Sequence, residues 1–84
     1  MHLQSSMKIE DRILSIVQEN TEQNGNVTLA SDLRKELRLD SFGTLMIINA
    51  IEEGFGVTVD QDDFCTVTTV ADIVTLLRSK YQCN

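Results

Sequence analysis

Apolar residues first recur at i, i+4, i+7 and i+8 in Ile9, Ile13, Ile16 and Val17, with Leu14 widening the stripe and Glu10, Asp11, Arg12, Gln18 and Glu19 on the other face. That period predicts an amphipathic helix over about residues 7–20. The polar run Asn20 to Asn26, which contains Gly25, ends it and begins a long connection. Within the connection Leu29, Leu33, Leu37 and Leu39 supply apolar anchors, and either Ser31 or Asp32 is suited to cap a single helical turn. A long loop pinned by leucines points to a functional surface or to a strained path.

A second, more apolar helix follows. Asp40, Ser41 and Gly43 mark the turn into it, and Phe42, Leu45, Met46, Ile47, Ile48, Ala50, Ile51 and Phe55 return at helical spacing before Gly54 and Gly56 close it. Met46 and the β-branched residues read most simply as core. Val57-Thr58-Val59 reads as an extended connector, since nothing else in the chain offers it a strand partner. Asp60 is placed to cap a short turn through Phe64, with Asp62 and Asp63 favourable to its dipole. Thr69 and Asp72 have the spacing of a capping-box variant. Val70, Ile73, Val74, Leu77 and Tyr81, with Leu76 beside them, then keep helical spacing, and Arg78 and Lys80 lie near the C-terminal end. The expected fold class is all-α: a small antiparallel four-helix bundle of three longer helices and one short helix, with a long loop between the first and second and no strand pairing.

The chain has 84 residues, enough for one domain. A domain of this size buries only about 60 to 65% of its unfolded surface, so the core has to be compact. The domain is expected over residues 7–81, with residues 1–6 a disordered leader ahead of Met7 and residues 82–84 a tail. Seven basic against 13 acidic side chains give a net charge of −6, which argues against nucleic acid as a partner. The acidity serves solubility, or it steers the surface toward basic patches on partner proteins. Asp40, Glu52, Glu53, Asp60, Asp62 and Asp63 flank the second helix, whereas Arg34, Lys35 and Arg38 cluster just before it. Cys65 and Cys83 are too few for a disulfide framework and read as reduced thiols. No apolar run is long enough for a signal peptide or a membrane span, and a cytoplasmic monomer is expected.

Few kinds of chemistry find their residues here. His2 is the one histidine and falls in the leader, so Ser-His and Cys-His activation lack a base. Asp60, Asp62 and Asp63 suggest a calcium loop, but Cys65 stands where the glycine is required and Ala71 where the bidentate glutamate belongs. No metal site is expected. No glycine-rich phosphate loop is present. Ser41, by contrast, falls in the first turn of the most apolar helix, beside unpaired N–H groups and the positive end of the helix dipole. That is a seat for a phosphate.

Asp40-Ser41-Phe42, followed by an apolar helix carrying Glu52-Glu53 and Phe55, resembles the acyl carrier protein family of phosphopantetheine-binding domains, and the resemblance runs from about Ile9 to about Leu77. It implies 4′-phosphopantetheine, derived from coenzyme A, joined to Ser41 by a phosphodiester, with a thiol that holds cargo as a thioester. It implies no catalytic residue: a magnesium-dependent phosphopantetheinyl transferase modifies Ser41, and acyl-loading and acyl-processing enzymes with basic docking patches use the arm. Residue by residue, Asp40 helps the transferase dock, Phe42 gives an apolar contact beside the arm, and Glu52 and Glu53 face basic partner residues. The family also admits an acyl chain between the second helix and its neighbours.

Two positions depart from the family pattern. Phe42 replaces the usual leucine, and Met46 replaces an acidic residue common in fatty-acid carriers, which makes docking at the helix start more hydrophobic. Weight shifts from a fatty-acid carrier toward a specialised acyl or polyketide one. Ser41-Phe42-Gly43-Thr44 is also similar to D-alanyl carriers, so an aminoacyl or peptidyl carrier is the alternative. From another class, an unmodified helical interaction module is the competitor.

Overall fold

The computed structural model describes residues 8–21 and 27–81, so the leader, the tail, His2, Cys83 and the centre of the first connection lie outside the described residues. Among the described residues four helices appear in order: α1 Ile9–Glu19, α2 Ser41–Phe55, α3 Gln61–Phe64 and α4 Val70–Ser79. Helix α1 is a little shorter than its periodicity predicts because Lys8 and Asn20 are caps, and the Asn20 side chain donates to the Ile16 carbonyl at 2.8 Å.

Helix α1 packs against both α2 and α4. Its first turn meets the last turn of α4 through Glu10 and Arg78 at 2.9 Å, and it meets the end of α2 where the Arg12 guanidinium lies 4.0 Å over the Phe55 ring. Both contacts make α1 antiparallel to its neighbours. Arg12 also donates to the Gly54 carbonyl. The core joins Ile9, Ile13 and Val17 of α1 to Ile47, Ile48 and Ile51 of α2 and Val70, Ile73, Val74 and Leu77 of α4. Each fully buried aliphatic side chain there contributes about 1.5 to 3 kcal/mol relative to exposure.

The long connection is pinned as its leucines foretell: Leu33 and Leu37 are buried, and Leu29 and Leu39 pack against the core. Asp32 is the residue that caps its turn, accepting the Arg34 and Lys35 amides at 2.9 and 2.8 Å. These backbone donors hold the Asp32 carboxyl below its ordinary range, the Lys35 amide most strongly. Ser31 turns the other way and accepts the Thr28 amide at 3.0 Å.

The expectation of no strand pairing needs one correction. Asp32 and Thr69 form an isolated antiparallel bridge, with the Leu33 amide on the Thr68 carbonyl at 2.9 Å and the Val70 amide on the Ser31 carbonyl at 3.2 Å. One bridge leaves no period-2 pattern, so periodicity does not reveal it.

Beyond α2, Val57-Thr58-Val59 forms neither helix nor strand and leads into α3, which Asp60, itself extended, caps by accepting the Asp62 amide at 2.9 Å. Thr69 and Asp72 make the full capping box of α4. Asp72 also takes the Thr68 amide, and the Thr68 and Thr69 donors together lower its carboxyl. Tyr81, which helical spacing assigned to the last helix, stands past its end. There its hydroxyl accepts the Asp60 amide at 2.9 Å and donates to Asp63 at 2.8 Å.

Helix α2 carries a second correction. Met46 is not core: it is 41% exposed, as is Leu45, and Phe42 is 70% exposed. On a 3.6-residue helix, the arc of Ile47, Ile48 and Ile51 faces α1 and the core, and Phe42, Leu45 and Met46 fall on the other side.

Candidate attachment site and docking face

Ser41 is the first residue of α2 and is exposed. Asp40, in extended conformation, is the N-cap: its Oδ1 accepts the Gly43 amide at 2.8 Å and its carbonyl accepts the Thr44 amide at 2.9 Å. The amides of Ser41 and Phe42 have no acceptor among the described residues. These are the unpaired first-turn donors that a helix offers to an anion. Gly43 keeps the cap compact, since a Cβ there would stand 3.0 Å from Leu39 Cδ2 and 3.3 Å from Asp40 Oδ1.

The serine opens onto a cavity of about 640 Å³ between the start of α2, the long connection and α3. Leu39, Leu45 and Ile48 give it apolar wall, and Arg34, Gln61 and the free thiol of Cys65 stand around it. The Arg34 guanidinium is held there by donating to the Val67 carbonyl at 2.9 Å. On the other side of the same helix start, Phe42 and Met46 line a groove of about 480 Å³ against the end of α1, with Leu37, Arg38 and Leu39. Arg38 has φ 55°, the left-handed conformation that favours glycine.

The five residues singled out for docking divide. Asp40, Phe42 and Met46 surround the serine turn, and Glu53 is exposed farther along α2. Glu52 is half-buried and its Oε2 accepts the Val59 amide at 2.8 Å, which ties the connector back to α2. Among the acidic cluster, Asp63 is occupied by Lys80 at 2.6 Å and by Tyr81. Lys80 first and Tyr81 second lower its carboxyl.

Leu45, Arg34 and Arg38 belong around this site, yet none was singled out as a site residue. A signal for Leu45 exists: Phe42, Leu45 and Met46 are spaced i, i+3, i+4, a second stripe apart from the isoleucines. Helix α2 simply has more apolar residues than one buried face can take.

The architecture falls in the class of small helical carrier domains. A solved structure of a protein from Mycobacterium tuberculosis shares the fold with a TM-score of 0.73 at 24% identity, covering 81% of this chain and 92% of that one. Residues 11–77 match the family described as phosphopantetheine attachment site. The chain belongs to that family, the acyl carrier proteins, whose members carry covalently attached 4′-phosphopantetheine. It is 30% identical over 74 residues to the mitochondrial acyl carrier protein of Dictyostelium discoideum, covering 88% of this chain and 62% of that relative's length. It is 26% identical over 74 residues to the acyl carrier protein of Rickettsia canadensis, covering 87% of this chain and 86% of that protein. No described helix is long and apolar enough to cross a membrane.

Proposed function

We propose that Ser41 is the attachment residue and that the protein carries acyl intermediates for a fatty-acid or a specialised acyl or polyketide pathway, without catalysing a reaction itself. The observation that carries this reading is one exposed hydroxyl at the start of α2, between two unpaired amides and a part-apolar cavity. Those residues fit the group: the Ser41 and Phe42 amides suit a phosphodiester, and Leu39, Leu45 and Ile48 suit an apolar chain. When bound, phosphopantetheine supplies a thiol that holds cargo as a thioester. Ser41 is then a transferase substrate, Asp40 holds the helix start in register, and Phe42 and Met46 offer apolar contact to partner enzymes. Glu53 is free to meet a basic patch; Glu52 serves the fold first, through Val59.

An aminoacyl or peptidyl carrier is the second reading, favoured by Gly43-Thr44 after Ser41-Phe42 and by the uncharged start of α2. Loading assays with defined activating enzymes separate the two. The cytoplasm belongs to the proposal as its compartment; one relative is named for the mitochondrion, and cell fractionation decides.

The test is intact mass before and after incubation with coenzyme A, magnesium and a promiscuous phosphopantetheinyl transferase, with Ser41→Ala alongside. A phosphopantetheine-sized gain that requires Ser41 is the expected result. No gain in folded protein, with a control carrier modified in parallel, moves the reading to an unmodified interaction module.

A further inference from the structure

Cys65 is the free cysteine among the described residues; it is exposed, and it lines the same cavity of about 640 Å³ as Ser41. Its place on that wall is fixed by the frame around it. The Cys65 amide donates to the Gln61 carbonyl at 3.0 Å, and Phe64 before it and Val67 after it are buried. The Tyr81 hydroxyl accepts the Asp60 amide, Lys80 pairs with Asp63, and Arg34 donates to the Val67 carbonyl, so α3 is tied on both sides of the thiol. Other groups on the cavity are less suited to attack a carbonyl carbon. Asp40 Oδ1 is taken by the Gly43 amide, and the Thr44 hydroxyl needs a base to activate it. A thiol needs none, because it ionises to a small extent near neutral pH and its anion is a strong nucleophile. The family's arm brings a thioester to this chain, and Leu39, Leu45 and Ile48 offer its acyl group an apolar wall on the cavity that Cys65 shares.

We infer that Cys65 is a second acyl-holding residue, which takes an acyl group from the thioester on the Ser41 arm and can return it. The inference rests on the carrier reading at Ser41. The Cys65 thiolate attacks the thioester carbonyl carbon. A carbon–sulfur bond forms at Cys65, the carbon–sulfur bond to the arm breaks, and the arm sulfur leaves as a thiolate that takes up the proton Cys65 gave up. No oxidant or reductant takes part, and one alkyl thioester replaces another, so the exchange runs in both directions. The tether gives the transfer its selectivity. A short flexible link sets an effective concentration on the order of millimolar, roughly a hundredfold above that of a second chain at about 10 μM. While the acyl group rests on Cys65, the arm thiol is open to a new load.

The test uses the full chain with Cys83→Ser throughout, which leaves Cys65 as the one side-chain thiol. A promiscuous phosphopantetheinyl transferase, with magnesium and hexanoyl-coenzyme A, places a hexanoyl-bearing arm on Ser41, and intact mass verifies the load. Excess hexanoyl-coenzyme A is removed, the chain is held at neutral pH, and acid quenching with pepsin digestion then locates the hexanoyl group by fragment mass. A hexanoylated Cys65 fragment is expected, formed at a rate independent of chain concentration. Cys65→Ala is expected to keep the whole load on the arm. Loaded Cys65→Ala mixed with Ser41→Ala is expected to pass hexanoyl to the second chain's Cys65 at least tenfold more slowly. Acceptance of the arm by Cys65→Ala shows that this variant is folded. Hexanoyl found on the arm alone overturns the inference, as does transfer between chains as fast as within one. A chain that takes the arm at Ser41 and never acylates Cys65 loses this inference alone; a chain that never takes the arm loses the carrier reading with it.

Discussion

In the half of α2 that begins at Ser41, Phe42, Leu45 and Met46 turn to solvent; toward the end at Phe55, Ile47, Ile48 and Ile51 are buried and Arg12 closes over the Phe55 ring. The two halves use similar residue types, yet only the second is fixed by packing. The first is held by the Asp40 cap and by the leucine-pinned connection behind it. Separating anchor from presentation along one helix lets the presenting half change its surface without loss of fold. A small core makes that separation useful, because stability in domains of this size sits near the low end of the usual range of about 5 to 15 kcal/mol.

The largest effect that would test the contrast comes from matched truncations. Ile51→Ala empties a fully buried site and is expected to cost about 2 to 5 kcal/mol, a large share of the stability of so small a domain. Met46→Ala, at a side chain 41% exposed, is expected to stay within about 0.5 kcal/mol. Urea denaturation followed by circular dichroism measures both. Similar losses for the two would erase the distinction between the halves.

Next in size is the cap. Asp40→Ala removes the carboxylate that accepts the Gly43 amide and is expected to cost about 1 kcal/mol. The loss should be local: amide exchange is expected to rise from Gly43 to Leu45 and to stay unchanged at Ile51. A uniform rise along α2 would mean that the presenting half is held by more than its cap.

The acidic pair sharpens the contrast at smaller scale. Glu52→Ala leaves the Val59 amide without its carboxylate acceptor and is expected to cost about 1 kcal/mol. Glu53→Ala, at an exposed position, is expected to cost less than about 0.5 kcal/mol. Urea midpoints that rank the two the other way would remove Glu52 from the structural half of the helix.

These neighbours show what a one-dimensional pattern conveys. Helix positions, the Asp60 and Thr69 caps and the leucine anchors were legible because each depends on residues a few positions apart. Ser41 was legible as a helix-start hydroxyl for the same reason. The role of Glu52 was not, since its partner Val59 lies across the left-handed turn at Gly56. The bridge between Asp32 and Thr69 and the bond from Arg34 to the Val67 carbonyl join residues more than thirty positions apart, beyond any local period. Met46 misled because hydrophobicity alone does not distinguish a buried face from an exposed one when both sides of a helix are apolar.

The smallest effect is set by pH, and it falls at the junction of α3 with the end of α4, away from the serine turn. Asp63 is held below its ordinary value of 3.8 by Lys80 and Tyr81, so the unfolded chain takes up protons first as pH falls. The stability from this carboxylate is fully present above that value and is lost as pH drops through its lowered folded value. Lys80 is raised above 10.5 by the same Asp63 hydrogen bond, so its contribution is full below 10.5 and fades as pH rises through the raised value. Both groups are exposed enough for salt to weaken the effect. Tyr81 is the single tyrosine in a chain without tryptophan, and its hydroxyl donates to Asp63. Tyrosine emission is therefore expected to change on acidification before helical circular dichroism is lost, and Asp63→Asn is expected to remove that early step. Emission and helicity that change together would mean that the junction and α2 unfold as one unit, leaving the presenting half no looser than the rest.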